Sequence, residues 1–312
     1  MKILLATHTL RPVYGGPEAI TTPETRRHVI AWSRRRGFDG IEVGAWWFDF
    51  ATAPIGELRA LRDQMHDAGL EMGGFNCLRS SVVHPAVREE NRRALTRAVE
   101  AAAAVGVPFV SISFSMAPDL VQLPFDRIRG WIYSPGGSRG APDSEFTETA
   151  ALLKDLARQA APHGVSIAIE LHNCSLADTS ASLLRLLGAA GEPNISANPD
   201  LGNLVWGYET PEERWQDAIV ALAPHVRFWH VKNVQRVHLP EFRRAAFVAS
   251  TLETGEIDYR WCLARLREAG FDGTISLEGA GGGDWLGVAS RNKAYLDEML
   301  GDLAAGVEPH VR

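Results

Sequence analysis

Two kinds of hydrophobic pattern alternate along the chain from one end to the other. Short apolar runs rich in Val and Ile favour buried strands, and longer segments with apolar positions three and four residues apart favour helices. Regular alternation of the two patterns is typical of parallel βα units. Eight strands are predicted, over residues 3–7, 40–43, 71–76, 109–113, 166–171, 195–199, 226–231 and 274–278.

A helical segment follows each predicted strand, so the chain contains eight strand and helix pairs. This number of units, in a chain of 312 residues, is what a (β/α)8 barrel requires. We therefore predict an α/β protein with a single TIM-barrel domain over residues 1–312. A doubly wound sheet would need fewer units and a glycine fingerprint after the first strand, and the Tyr14-Gly15-Gly16-Pro17 sequence lacks that spacing.

Two long connections interrupt the regular pattern, a loop over residues 115–143 after strand four and a loop over residues 234–256 after strand seven. The first is rich in Gly and Pro and holds Trp131 and Tyr133. Long connections of this kind are usually functional, and an exposed Trp-Ile-Tyr triplet would be a sticky patch. We expect this loop to cover the barrel mouth or to pack against a partner chain.

The charge, the cysteine content and the hydrophobic segments of the chain indicate which partners and which compartment to expect. The formal net charge is −6 and long basic blocks are missing, which disfavours a nucleic-acid ligand. Cys77, Cys174 and Cys262 lack the spacing of a zinc site or a disulfide scaffold, which favours the reducing cytoplasm. The first apolar run is broken at Thr7 and no apolar stretch reaches 18 residues, so we expect a soluble protein without a membrane partner.

Ionisable residues end the last four predicted strands: Glu170, Asp200, His230 and Glu278. In a barrel the carboxyl ends of the strands meet at one mouth, where active sites lie. Three carboxylates there would repel one another unless they are protonated or held by a cation. Oxygen-rich ligation with one His suits Mn²⁺, Mg²⁺ or Co²⁺, and Mn²⁺ is our first choice. In the competing interpretation, each of these residues is an ordinary polar group at the end of its strand. The occurrence of four such residues at the same position in successive units disfavours that interpretation.

Other side chains are predicted to surround this site. His172 lies two residues beyond Glu170, so on extended backbone it points the same way and is expected to touch substrate or orient Glu170. His8 and Asn76 end strands one and three, and Trp46 follows strand two, where an aromatic face suits a sugar. For each of these residues, ordinary packing or a satisfied polar role is the alternative.

These strand ends resemble those of the xylose isomerase-like TIM barrels, in particular the sugar phosphate isomerase/epimerase group. The resemblance implies one divalent metal held by a Glu, an Asp, a His and a second Glu from strands five to eight, here Glu170, Asp200, His230 and Glu278. Epimerases of the group carry an Arg six residues after the metal-binding His, and Arg236 stands at that place. The Gly255-Glu256-Ile257-Asp258 segment is similar to the loop before the family's last βα unit.

The resemblance also implies an isomerase or epimerase of a small keto sugar or sugar acid. Glu170 and Glu278 would lie on opposite faces of the reacting carbon, where one removes a proton and the same or the other one returns it. The metal would act as a Lewis acid that stabilises the enediolate. Lys232 and Arg236 would polarise a hydroxyl or bind a carboxylate or phosphate, unless they are solvated loop charges. A homo-oligomer or a small partner subunit is compatible with this group.

The chain departs from the family pattern at Asn203, where many members have a His three residues after the metal-binding Asp. Asn203 can donate a hydrogen bond to substrate but cannot act as an acid or base. The related apurinic-site endonucleases need several extra His ligands, so Asn203 and the acidic charge argue against that activity. A lyase on the same barrel, either a polyol dehydratase or a C-glycoside deglycosidase subunit acting on 3-oxo glycosides, is the alternative. A non-catalytic sugar-binding protein is disfavoured by the two glutamates.

Overall fold

A computed structural model describes the chain except for residues 9–21, 46, 51, 78–80, 86, 115–136, 174, 207–210, 243, 279–283 and 308–312. Trp46 and most of the predicted cover of the barrel mouth, residues 115–136 of the loop over residues 115–143, therefore lie outside the described residues. Among the helices of the described part, none is long and apolar enough to cross a membrane.

Eight parallel strands form the barrel in the described part of the chain, which confirms the predicted TIM-barrel fold. They are β1 (Lys2–Ala6), β2 (Gly40–Gly44), β3 (Glu71–Cys77), β4 (Phe109–Ile112), β5 (Ser166–Glu170), β6 (Ile195–Asn198), β7 (Phe228–Val231) and β10 (Thr274–Leu277). Each pairs with its neighbour in the order β6-β5-β4-β3-β2-β1-β10-β7. A parallel bridge between Ala197 and Val226 joins the two ends of this order. The side chain of Asn198 strengthens this junction, since its Oδ1 accepts a hydrogen bond from the His230 amide at 2.7 Å.

Helices lie between the barrel strands and after β10, and all of those described except α6 match a helical segment that the hydrophobic period predicts. They are α1 (Pro23–Arg35), α2 (Ile55–Asp67), α3 (Arg88–Val105), α4 (Asp143–Ala160), α5 (Ser180–Ala190), α6 (Gly202–Val205), α7 (Trp215–Leu222), α8 (Tyr259–Glu268) and α9 (Trp285–Ala304). Capping residues in the sequence determine where several of these helices begin or end. The Thr22 side chain caps α1, and Gly106 ends α3 in the left-handed conformation at φ 81°. The one-turn helix α6 has no counterpart in the sequence prediction.

The barrel has two apolar regions. The large core lies between the strands and the helices, whereas Leu4, Ala168 and Phe228 form a small cluster packed by Phe109. Because side chains alternate across a strand, the residue two positions further along faces the same side. His230 follows Phe228 in this way and Glu170 follows Ala168, so the apolar cluster supports the polar groups above it.

The predicted loop over residues 234–256 contains an antiparallel hairpin. Strands β8 (Asn233–Leu239) and β9 (Arg244–Ser250) pair along their whole length and are joined by a short 3-10 turn. The side chain of Asn233 fastens the base of the hairpin, because its Nδ2 donates to the carbonyl oxygens of Leu252 and Ile257 at 2.7 and 2.9 Å. The hairpin places Arg236 close to the chain that follows β6.

Candidate metal and catalytic site

The structure brings the four predicted metal ligands together at the mouth of the barrel. One ligand atom from each of Glu170, Asp200, His230 and Glu278 lies within 4.8 Å of the others. All four residues are buried, and Asp200 and His230 are completely so. Buried carboxylates at this spacing need positive charge or hydrogen-bond donors around them.

His230 is held by the carboxylate of Glu42, which is not among the predicted site residues. Its Nε2 lies 2.9 Å from both carboxylate oxygens of Glu42. Its other nitrogen, Nδ1, is buried, lies 3.1 Å from Glu278 Oε1 and makes no hydrogen bond of good geometry. Burial opposes a charged imidazole, but Glu42 and Glu278 on its two sides raise the pKa of His230 well above its ordinary value.

Glu42 is itself fully buried and fixed from other strands. Its Oε2 accepts a hydrogen bond from Ser276 Oγ at 2.6 Å, and its Oε1 lies 3.4 Å from Asn76 Nδ2. Burial raises the pKa of Glu42, but the neighbouring His230 and His8 bring it below the ordinary value, so the carboxylate is charged. The available signal in the sequence was a glutamate in the middle of the Gly-Ile-Glu-Val strand, where both faces are buried.

Asp200 is positioned by the turn that becomes helix α6. Trp229 Nε1 donates to the carbonyl oxygen of Pro199 at 3.1 Å, and the Gly202 amide donates to Asp200 Oδ1 at 3.1 Å. Asn203 Nδ2 lies 2.8 Å from Asp200 Oδ2 and 3.0 Å from Glu170 Oε1. The amide of Asn203, predicted to contact substrate, therefore bridges two candidate metal ligands in this structure.

Two basic side chains, Lys232 and His8, contact carboxylates of the candidate metal ligands. Lys232 Nζ lies 2.6 Å from Asp200 Oδ2 and 2.7 Å from Glu278 Oε2. His8 Nε2 lies 2.8 Å from Glu278 Oε1. The His8 backbone can approach β2 this closely because residue 44 is glycine: a Cβ there would stand 2.6 Å from the His8 Cβ.

The pKa values of these groups follow from burial and from each other's charge. Burial raises the pKa of Asp200 to about 7, helped by Glu278 and Glu170 and opposed by Lys232. Burial also opposes ionisation of Glu278, but Lys232 and His8 hold its pKa well below the ordinary value. Burial lowers the pKa of Lys232, and the nearby carboxylates more than reverse this, so its ammonium stays charged.

The remaining predicted contacts lie around this cluster. His172 is buried two residues beyond Glu170, and its Nδ1 lies 2.8 Å from the carbonyl oxygen of Asn173. Arg236, on the hairpin, donates from Nη1 to the Val205 carbonyl oxygen at 2.6 Å. Asn76 contacts Glu42, beneath the four candidate ligands.

The donor set fits a divalent cation. Three carboxylates and one imidazole are ligands that Mg²⁺, Mn²⁺ and related ions accept. The buried Nδ1 of His230 lacks a well-aligned hydrogen bond, and its Nε2 is already held by Glu42, which is the usual arrangement of a metal-binding His with its supporting carboxylate. This buried cluster can therefore bind a metal ion.

Replacement of Glu42 by Gln should weaken Mn²⁺ binding by about 10- to 100-fold, the usual effect of losing the carboxylate behind a metal-binding His. The Gln side chain keeps the shape but no longer fixes the imidazole through a charged acceptor. Isothermal titration with Mn²⁺ measures the change, and Glu57→Gln, on the exposed side of α2, is the matched control. Equal Mn²⁺ affinity in Glu42→Gln and wild type, with both proteins folded, would contradict this role.

The sequence matches the family model described as xylose isomerase-like TIM barrel over residues 30–299. None of the curated proteins matches the sequence at a significant level. Solved structures do match. A xylose isomerase-like TIM barrel protein from Mycobacterium smegmatis, crystallised with magnesium, has a TM-score of 0.79 at 22% identity, with 96% of each chain covered.

Two further solved structures share the fold. L-ribulose 3-epimerase has a TM-score of 0.72 at 18% identity, covering 100% of this chain and 99% of that one. A probable 3-DHS dehydratase from Bacillus anthracis has a TM-score of 0.67 at 18% identity, covering 95% of this chain and 99% of that one. Since the family model spans most of the sequence, this chain belongs to the xylose isomerase-like TIM barrel family.

Proposed function

We propose that the protein is a divalent-metal-dependent epimerase or isomerase of a small keto sugar or sugar acid, with Mn²⁺ as the first choice of metal. The observation that carries this proposal is the buried cluster of three carboxylates and one imidazole at the barrel mouth, in which two of the carboxylates are glutamates. The fold shared with L-ribulose 3-epimerase supports the reaction class.

Glu170, Asp200, His230 and Glu278 would hold the metal ion. When bound, the ion supplies Lewis-acid stabilisation of the negative charge that develops on substrate oxygens. Glu42 keeps the His230 ring oriented, and Asn203 fixes the relative positions of Glu170 and Asp200. The protein's part is therefore a rigid set of oxygen and nitrogen donors held by surrounding hydrogen bonds.

Glu170 and Glu278 would carry the proton. In an epimerisation, one carboxylate takes the proton from the carbon next to the carbonyl, and the other, as a carboxylic acid, returns one on the opposite face. The substrate loses and regains one proton, so its composition is unchanged while the configuration inverts. Before metal binds, Glu278 is a carboxylate, because Lys232 and His8 lower its pKa against the effect of burial.

The substrate would be held by polar groups at the mouth. Lys232 and Arg236 offer positive charge for a hydroxyl, carboxylate or phosphate oxygen. His172 and His8 offer further hydrogen bonds, and Asn203 offers its amide oxygen. The ring of Trp206, whose centroid lies 5.9 Å from Lys232 Nζ, offers an apolar face for the carbon side of a sugar.

A dehydratase is the second candidate, favoured by the fold shared with the probable 3-DHS dehydratase. The first step, removal of the proton next to a carbonyl, would be the same. A hydroxyl on the adjacent carbon would then leave as water with a proton from the second glutamate, giving an unsaturated product. A lyase acting on 3-oxo glycosides would expel the aglycone in place of water.

Incubation of the Mn²⁺-loaded protein with ketopentoses, ketohexoses and 3-oxo glycosides in D₂O should place deuterium on the carbon beside the carbonyl. NMR measures the exchange and identifies the product: an epimer or isomer supports the proposal, and an unsaturated product favours the lyase. The same assay with Asp200→Ala is the control for metal dependence. If no member of the panel exchanges a C–H proton, the proposed reaction on these substrate classes is wrong.

A further inference from the structure

The ammonium group of Lys232 contacts the same carboxylates that are candidate metal ligands. It lies 2.6 Å from Asp200 Oδ2 and 2.7 Å from Glu278 Oε2, the distances of strong charge-assisted hydrogen bonds. A divalent cation bound by this cluster takes its ligand oxygens from the same two carboxylates. Two positive charges cannot share them at such short range without strong repulsion.

We propose that Lys232 is a built-in counter-cation of the carboxylate cluster, and that its ammonium group and a divalent metal ion compete for Asp200 and Glu278. Metal binding then moves the ammonium off these carboxylates. This inference rests on the proposed metal centre, but it concerns the affinity of the centre and the position of one side chain. It does not depend on which sugar is the substrate.

The base of the Lys232 side chain is held firmly, so the movement is confined to its end. The Tyr259 hydroxyl holds both backbone polar groups of Lys232: it accepts a hydrogen bond from the Lys232 amide and donates one to the Lys232 carbonyl oxygen. The stem passes over Gly202, where a Cβ would stand 2.4 Å from the Lys232 Cγ. Glycine at position 202 thus leaves the space that the stem occupies.

The ammonium group of Lys232 has an alternative position beside the carboxylate cluster. The Lys232 side chain is 11% exposed, compared with 0% for Asp200 and 2% for Glu278, so part of it reaches the open side of the cluster. The centroid of the Trp206 ring is 5.9 Å from Lys232 Nζ, within the range of a cation–π contact. An ammonium group released from the carboxylates can settle against this ring, where a substrate oxygen can also reach it.

The test compares Mn²⁺ binding to wild type, Lys232→Met and Lys293→Met by isothermal titration. Lys293 is a matched control because its side chain is also mostly buried and ion-paired, with Asp297 on helix α9. Lys232→Met should bind Mn²⁺ at least about tenfold more tightly than wild type, since the competing charge is gone, and Lys293→Met should match wild type. Equal or weaker binding by Lys232→Met would overturn the proposal.

A second measurement uses the wild-type chain and does not depend on the folding of a variant. The chain has four lysines, Lys2, Lys154, Lys232 and Lys293, so acetylation at each one can be followed by mass spectrometry. Mn²⁺ should increase acetylation of Lys232 relative to the other three. Unchanged or reduced labelling of Lys232 in the Mn²⁺-saturated protein would also overturn the proposal.

The outcomes separate this inference from the proposed function. If wild type and Lys232→Met bind Mn²⁺ equally, the competition is wrong and the metal-dependent function stands. If competition is observed but no substrate exchanges a proton in D₂O, the competition stands and the function is wrong. If neither protein binds Mn²⁺, both are wrong.

Discussion

Substitution of Glu170 or Glu278 by Gln should lower turnover by about 10²- to 10⁴-fold, the contribution of a well-placed general acid or base. Gln keeps the shape of the side chain and one oxygen for the metal, but it can neither accept nor return a proton. Each variant should therefore retain part of its Mn²⁺, as measured by elemental analysis, while kcat falls. Glu57→Gln should leave both quantities unchanged.

The two variants should also differ from each other. In an epimerase each carboxylate serves one face of the substrate carbon, so loss of tritium from the two stereoisomers of the substrate should respond differently to Glu170→Gln and Glu278→Gln. In an isomerase that uses one carboxylate for both transfers, one variant alone should abolish the exchange. Near-normal turnover in both variants with metal bound would rule out the proton-transfer mechanism.

Replacement of Asp200 by Ala should instead remove activity through loss of the metal. A unit charge about 4 Å from another at an effective dielectric constant of about 20 contributes about 4 kcal/mol, which corresponds to about a thousandfold in affinity. The substitution also removes the acceptor shared by Lys232 and Asn203. Mn²⁺ titration should show this loss, and a high Mn²⁺ concentration should restore part of the activity.

The pH dependence of binding gives an independent check on Asp200. Burial raises the pKa of Asp200 to about 7, so below that pH the metal has to displace a proton from it. Mn²⁺ affinity of the wild type should therefore fall as the pH is lowered through about 7, and Asp200→Ala should lack the part of this fall that Asp200 causes. The exposed Asp217→Ala, on helix α7, should behave as wild type. Wild-type affinity in Asp200→Ala would show that Asp200 is not a ligand.

Much of the fold could be predicted from the sequence because its pattern is local. The burial of parallel strands on both faces leaves short apolar runs, and the amphipathic helices between them leave a different period. The hairpin of β8 and β9 was not predicted, since most of β8 is exposed and the strand lacks the apolar run that marks the barrel strands. Helix α6 was missed because one turn is too short to show a period.

The candidate site could be predicted in part. Glu170, Asp200, His230 and Glu278 stand at the same place in successive βα units, so barrel geometry alone is enough to bring them to one mouth. Glu42 could not be connected to His230 from the sequence, because 188 residues separate them and the contact crosses the barrel interior. The predicted cover formed by the loop over residues 115–143 stays a prediction, as does the role of Trp46.

The sequence by itself determined the order of the eight barrel strands and of the main helices that follow them, and which ionisable groups end those strands, because both are set by residues close together in the chain. Only the tertiary structure decided which charges touch. It placed Glu42 behind His230, Asn203 between Glu170 and Asp200, and Lys232 on Asp200 and Glu278. A buried charge pairs with the groups that the closed barrel brings within about 3 Å of it. Most of those groups come from elements far apart in the chain, so local sequence patterns do not reveal the pairing.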